Sequence, residues 1–242
     1  MNISIDLDNF GKSFNIYMKT DYPGHDRAYQ RRQNNPEYAG WMKHEELEED
    51  WQLSWQPLMQ KPAFPKQGKL LELGCGAGNI SIYFAQAGYD VTGVDIAPTA
   101  INWAIQNAAK ANVNVNFIQG DVLKLTEIPD ASFDLALDGR CLHCIIGSDR
   151  LLFLQTAHRI LRPGGILIIN TMCNYILTTT KFHNFDPQTR CTIYNGIATR
   201  YIGYSNDILQ EIIEAKFLVL NAEFLSPRHN EGGELQVIAE KR

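Results

Sequence analysis

Long apolar runs are missing from this chain of 242 residues: they stop at four, as in Ile166–Ile169, against the ~20 that a membrane-spanning helix requires. No secretory leader is expected either, because the opening MNISIDLDNF carries acids where such a leader has bases, and no apolar stretch follows. Nor is there an excess of positive charge, with 22 Lys and Arg against 27 Asp and Glu and a net charge of −5. Binding along a nucleic-acid backbone calls for a basic face, so neither a nucleic-acid nor a membrane partner is expected. Cysteines are few and odd in number, at 75, 141, 144, 173 and 191, which suits reduced thiols in the cytoplasm better than a disulfide framework. What is present is ordinary globular composition, 45% hydrophobic and 20% charged, long enough for one large α/β domain with an appendage.

The appendage is residues 1–65. It holds Trp41, Trp51 and Trp55, three of the four tryptophans, and an Arg/Asn/Gln/Pro stretch at 31–36. The pattern predicts a helix from about Pro36 to Gln56, ending before Pro57. Leu47, Trp51, Trp55 and Leu58 share one face of it, a spacing that predicts core packing, with contact to a ligand as the alternative. Tyr17, Tyr22, Tyr29 and Tyr38 are candidates for a lid that excludes water from a pocket. The Pro/Lys/Gly segment 62–68 reads as a linker.

From Lys69 onward, short apolar runs alternate with helical periods. Strands are expected at 69–74, 90–95, 113–121, 133–138 and 164–170, with helices over Asn79–Ala87, from Pro98, and from Ser148 or Asp149 to Leu161. A hairpin near 191–203, a helix near Ser205–Ala215 and closing strands near 217–225 and 234–240 complete the chain. Such alternation predicts an α/β fold with a Rossmann-like, doubly wound, mostly parallel sheet, which binds ligands outside the carboxyl ends of its strands.

Those strand ends carry the chemistry. ELGCGAG at 72–78 places Gly74, Gly76 and Gly78 in a turn that lets backbone approach a ligand. The third glycine arrives one position early for the dinucleotide pattern G-x-G-x-x-G, and Asn79 stands where the last would be. Asp95 ends the second strand, where a carboxylate accepts from both hydroxyls of a ribose or serves the following helix as a cap, and Ile96 offers a purine an apolar face. In GDV, Asp121 is placed to accept from an exocyclic amine, with the Val122 N–H directed at a ring nitrogen.

ELGCGAG, VDIA, GDV, FDLALD and LRPGG, in that order over about residues 69–172, resemble the class I S-adenosylmethionine-dependent methyltransferases. The resemblance implies seven strands with the last antiparallel, S-adenosylmethionine as cofactor and S-adenosylhomocysteine as product. It also implies that Glu72 lies near the methionine ammonium, that Gly74, Cys75 and Gly76 form the cofactor loop, and that Asp95 and Ile96 hold ribose and adenine. Asp121 and Val122 would meet the adenine edge, and the backbone of Asp138 and Gly139, at the end of strand four, would face the methionine moiety. Cys75 reads as packing rather than as a nucleophile.

On the acceptor side, DGRCLHC puts Arg140, Cys141, His143 and Cys144 just past the fourth strand. His143 is the candidate general base for an acceptor that carries a proton, its alternative being a structural hydrogen bond. Cys141, His143 and Cys144 lack a second ligand pair, so no metal is assigned, and the cysteines do not match the pattern of arsenite methyltransferases. Tyr175, Phe182, His183, Tyr194 and Tyr201 fall in an expected insertion at about 174–204, where this family commonly builds its acceptor pocket. The N-P-P-Y tetrapeptide of nucleic-acid amino-methyltransferases is absent after strand four. The reading is methyl transfer to a small molecule by a domain spanning 66–242 beneath a lid formed by 1–65. Its alternatives are a nicotinamide-dependent oxidoreductase and a non-catalytic module that binds S-adenosylmethionine.

Overall fold

The computed structural model describes residues 18–174, 184–226 and 233–242. Seven strands form one sheet: β1 (Lys69–Leu73), β2 (Asp90–Asp95), β3 (Asn116–Gln119), β4 (Phe133–Gly139), β5 (Leu161–Cys173), β9 (Phe217–Leu225) and β10 (Gly233–Lys241). Their order is β3-β2-β1-β4-β5-β10-β9, and β10 runs antiparallel to both neighbours while the first five strands pair in parallel. Strand β3 is shorter than the expected 113–121, because helix α5 (Pro98–Ala111) ends on Asn112 in the left-handed region (φ 54°) and the chain joins the sheet only at Asn116. Strand β5 is longer than 164–170, since Leu161 pairs with Phe133 and Cys173 with Gly233.

Helices α4 (Asn79–Gln86), α5, α6 (Asp149–Ile160) and α7 (Ser205–Glu214) flank the sheet. Successive side chains of a strand point to opposite faces, so β1 divides between two cores. Leu71 and Leu73 pack with Phe153 and Leu154 of α6 and Ile212 of α7, whereas Leu70 packs with Phe84, Phe64 and Trp55. The insertion carries a small sheet of its own, β6 (Phe185–Asp186), β7 (Cys191–Tyr194) and β8 (Ile197–Tyr201), one strand more than the expected hairpin.

The N-terminal segment departs most from expectation. Helix α1 (Tyr22–Gln33) was not anticipated; Asp21 Oδ1 accepts from the Gly24 N–H at 3.0 Å to start it, and Pro23 lies in its first turn. The helix predicted from Pro36 begins only at His44, where Glu46 reaches back to the Lys43 N–H at 2.9 Å, and residues 36–43 form a turn closed by a Tyr38–Lys43 bridge. Nor does that helix end before Pro57. After α2 (His44–Asp50) the chain widens into a π-turn (Trp51–Trp55) whose Gln56 N–H bonds to the Trp51 carbonyl, and α3 (Gln56–Met59) restarts with Pro57 in its first turn, where no N–H is required. Trp51, Trp55 and Leu58 pack in the core as the spacing predicts.

One buried ionic cluster fastens this segment to the sheet. Arg140, just past β4, donates from Nη1 and Nη2 to Asp50 at 2.9 and 2.5 Å and from Nε to Glu234 of β10 at 2.5 Å. Asp50 also accepts from Ser54 Oγ and Trp55 Nε1, both at 3.0 Å. Arg140 holds this position with φ 73°, in the region that costs a side chain roughly 1–2 kcal/mol. Burial by itself would raise the Asp50 carboxyl; the Arg140 guanidinium outweighs that and holds it below the usual carboxylate range. A depressed folded-state pKa contributes stability above the unfolded value, about 4, and that contribution is lost as pH falls below it. Arg140→Gln should therefore cost about 3–5 kcal/mol in urea unfolding at neutral pH, since it strands two buried carboxylates. The deficit should narrow as pH drops through 4; a deficit independent of pH would contradict this account.

Candidate functional site

Between β1 and β4 the strand order reverses, and a cavity of about 580 Å³ opens over their carboxyl ends. That volume lies within the ~300–1,000 Å³ of small-ligand sites. Its floor includes Glu72, Gly74, Cys75, Gly76, Asp95 and Gly139. The glycines answer two constraints: Gly74 and Gly76 have φ of 75° and 54°, and a Cβ on Gly74 would sit 2.5 Å from Cys141 Sγ. Cys75 is buried, and burial raises its thiol well above the ordinary range, which leaves it a packing group.

The acids differ in what they do. Glu72 is buried, accepts from the Ser81 hydroxyl, and is raised by burial to about 8, so it is poised to ionise only against a cation. Asp95 accepts from the Gly76 N–H at 2.9 Å and the Ala97 N–H at 2.8 Å, and burial raises it to about 6. It thus ties the glycine loop to the start of α5 while still lining the cavity, and each oxygen keeps a second lone pair. Ile96 and Val122 supply apolar wall.

Asp121 and Asp138 do not line the cavity. Asp121 Oδ1 accepts from the Tyr22 hydroxyl at 2.9 Å and the Leu123 N–H at 3.0 Å, so the atom expected to meet an amine meets α1. Asp138 turns beneath the loop after β4, where Oδ1 accepts from the N–H groups of Cys141 at 2.6 Å and Leu142 at 2.8 Å, and burial raises it to about 7. Only its neighbour Gly139 reaches the cavity, with backbone.

Past β4 a short 3₁₀ turn (Leu142–Cys144) places His143 and Cys144 on the cavity wall. His143 is buried and its Nδ1 has no partner. Burial, with the positive charges of Arg200 and Arg140 behind it, holds its pKa well below 6.5, so the imidazole is neutral through the physiological range. The turn itself is braced by Arg150, which donates to the Leu142 carbonyl at 2.7 Å and pairs with Glu211 of α7.

The N-terminal segment supplies the facing wall, including Tyr22, Tyr29, Tyr38 and Trp41; Tyr17 lies outside the described residues. Of the expected acceptor-side aromatics, Tyr175, Phe182 and His183 lie outside the described residues. Tyr194 is exposed, and Tyr201 lies under the Arg150 guanidinium, 4.6 Å from its ring, so neither lines the cavity. What the insertion contributes instead is Arg200 on β8. Arg200, Arg32 and His25 carried no signal in the sequence, because nothing local marks which surface an isolated base will face. Among the described residues no three His, Cys, Asp or Glu side chains converge as metal ligands, and no helix is long and apolar enough to cross a membrane.

Residues 71–169 match the family model described as a methyltransferase domain. Among curated proteins the chain is similar to YqeM of Bacillus subtilis, named as a methyltransferase, with 28% identity over 66% of this chain and 64% of that protein. It is also similar to the S-adenosyl-L-methionine-dependent Diels-Alderase iccD of Talaromyces variabilis, with 36% identity over 45% of this chain and 37% of that one. The chain thus spans less than two thirds of the length of these relatives. Among solved structures, a SAM-dependent methyltransferase of Methanosarcina mazei superposes with a TM-score of 0.65 at 23% identity, covering 78% of this chain and 99% of that one. The [4+2]-cyclase SpnF superposes with a TM-score of 0.67 at 17% identity, covering 94% and 98%, a likeness of fold. By the family match over residues 71–169, the order of its motifs and the course of its sheet, the chain is similar to the class I S-adenosylmethionine-dependent methyltransferases.

Proposed function

We propose that this protein transfers a methyl group from S-adenosylmethionine to a small-molecule acceptor and releases S-adenosylhomocysteine. The observation that carries the reading is one cavity that joins the glycine loop and two buried acids to a neutral histidine. The residues present fit the cofactor: backbone without side chains at Gly76 and Gly139, a carboxyl at Glu72 that ionises against a cation, and an acid at Asp95 with lone pairs left over for ribose. Ile96 and Val122 offer the apolar surface that adenine requires. When bound, the cofactor supplies an electrophilic methyl on a positively charged sulfur.

The chain's own part is positioning and exclusion of water. Residues 18–65 act as a lid whose Tyr22, Tyr29 and Trp41 close the cavity. Tyr22 donates to Asp121 Oδ1 and so couples this segment to the acid expected at the adenine edge, whose Oδ2 accepts no hydrogen bond from the described residues. His143, neutral and on the cavity wall, takes the acceptor's proton on its imidazole. A second reading retains the cofactor without methyl transfer and uses the cavity for a pericyclic closure. It is favoured by the likeness to the Diels-Alderase iccD and the cyclase SpnF.

Calorimetry tests the reading directly. S-adenosylmethionine and S-adenosylhomocysteine should bind with micromolar affinity and NADH should not; binding of NADH alone would overturn it. Release of S-adenosylhomocysteine in the presence of an acceptor separates methyl transfer from the cofactor-retaining reading. Asp95→Ala should weaken cofactor binding by about 1–3 kcal/mol, and unchanged affinity would remove Asp95 from the site. His143→Ala should lower turnover at saturating cofactor by roughly 100-fold or more with cofactor affinity unchanged. Wild-type turnover in that variant would return His143 to a structural role.

A further inference from the structure

The cavity has a cationic corner that the cofactor reading does not use. Arg32 of α1 and Arg200 of β8 converge on Trp41, their guanidinium carbons 3.9 and 5.5 Å from the centre of its ring. All three residues line the cavity. Neither guanidinium has a carboxylate within 4.0 Å among the described residues, whereas Arg140, Arg150, Arg159 and Arg162 each have one. Arg32 is half-buried; its Nε has no partner, and Nη1 makes only a long contact of 3.4 Å with the Ala28 carbonyl.

The acids of the same cavity are engaged elsewhere. Glu46 accepts from the Lys43 N–H, Glu234 is bound to Arg140, and Glu72 and Asp95 accept from Ser81 and from the Gly76 and Ala97 backbone. The two imidazoles nearby add no charge, because burial and the field of Arg200 keep His25 and His143 neutral at physiological pH. A guanidinium withdrawn from water without a counter-ion is unfavourable, and a ligand anion is the group that relieves it.

We propose that Arg32, Arg200 and Trp41 form an anion receptor, and that the acceptor of this enzyme is a small organic acid whose anionic group rests there. The proposal rests on the reading of the cavity as the shared site of cofactor and acceptor. Arg200 fixes the charge, Arg32 meets it from the lid, and the indole beside them adds apolar wall for the body of the acid. Reach from here to His143 is supplied by the common cavity wall. The same chemistry has a second source, the carboxylate of the cofactor's own methionine moiety, and the test separates the two.

The probes are benzoate and its neutral isostere benzamide, titrated by ligand-observed NMR into the full-length protein saturated with S-adenosylhomocysteine. Benzoate should bind at least about tenfold more tightly than benzamide, the margin expected of a charge-assisted pair. Arg200→Gln should abolish that preference while S-adenosylhomocysteine affinity, read by calorimetry, stays within about twofold; that retained affinity also reports the variant folded. Arg200→Lys should keep part of the preference, since the charge remains and the planar fork is lost. Equal binding of the two probes, or no binding of benzoate, would overturn the proposal. So would parallel loss of S-adenosylhomocysteine affinity in Arg200→Gln, which would assign the corner to the cofactor. If S-adenosylhomocysteine does not bind the wild type at all, the cofactor reading fails, and a benzoate preference that disappears in Arg200→Gln still supports the receptor.

Discussion

Reversal of the winding between β1 and β4 is the constraint on which the site depends. Strands to one side of that point are joined by helices on one face, strands to the other side by helices on the opposite face, so no connection crosses the carboxyl ends of the two central strands. A crevice is therefore left open where Glu72, Gly74 and Gly139 come to the surface of the sheet. Glu72, Asp95 and His143 are gathered around that opening, while both faces of the sheet are committed to packing. The division follows from the alternation of strand side chains: Leu70 and Leu71 are neighbours in the chain and belong to different cores.

An open crevice needs a cover, and here the cover is held by charge as well as by apolar contact. Trp55 and Leu58 anchor the N-terminal segment beneath the sheet, and the Asp50–Arg140–Glu234 cluster pins it beside the end of β4. Because Arg140 also lines the cavity, the same residue anchors the N-terminal segment and shapes the site. Satisfaction of this guanidinium by two carboxylates contrasts with Arg32 and Arg200 a short way along the wall, which have none among the described residues. The cavity wall thus combines a cation neutralised by two carboxylates with two that have no carboxylate partner among the described residues.

Much of the site was legible because its signals are local. A glycine turn after an apolar run, an acid at the end of the next strand and the order of five short motifs are written within about a hundred residues, and Glu72, Cys75, Gly76, Asp95, Ile96 and Val122 all reach the cavity. The side chains of Asp121 and Asp138 bond instead to donors that no local pattern announces, in Tyr22 and in the loop after β4. Helix boundaries in the N-terminal segment were misread for a related reason. Pro57 ends a regular helix, but a π-turn ahead of it removes the need for its N–H, and only packing of Trp51 and Trp55 into the core makes that wide turn worth forming.

Sequence by itself determined the succession of strands and helices, the glycine loop, the acids at the strand ends and the likeness to a methyltransferase domain, because period, turn chemistry and motif order act over a few residues at a time. Tertiary structure alone decided which charges meet. Arg140 finds Asp50 and Glu234 across separations of 90 and 94 residues, Tyr22 finds Asp121 across 99, and Arg32 meets Arg200 over one indole. Such pairings depend on how the sheet is ordered and where the N-terminal segment packs against it, and no local pattern encodes them.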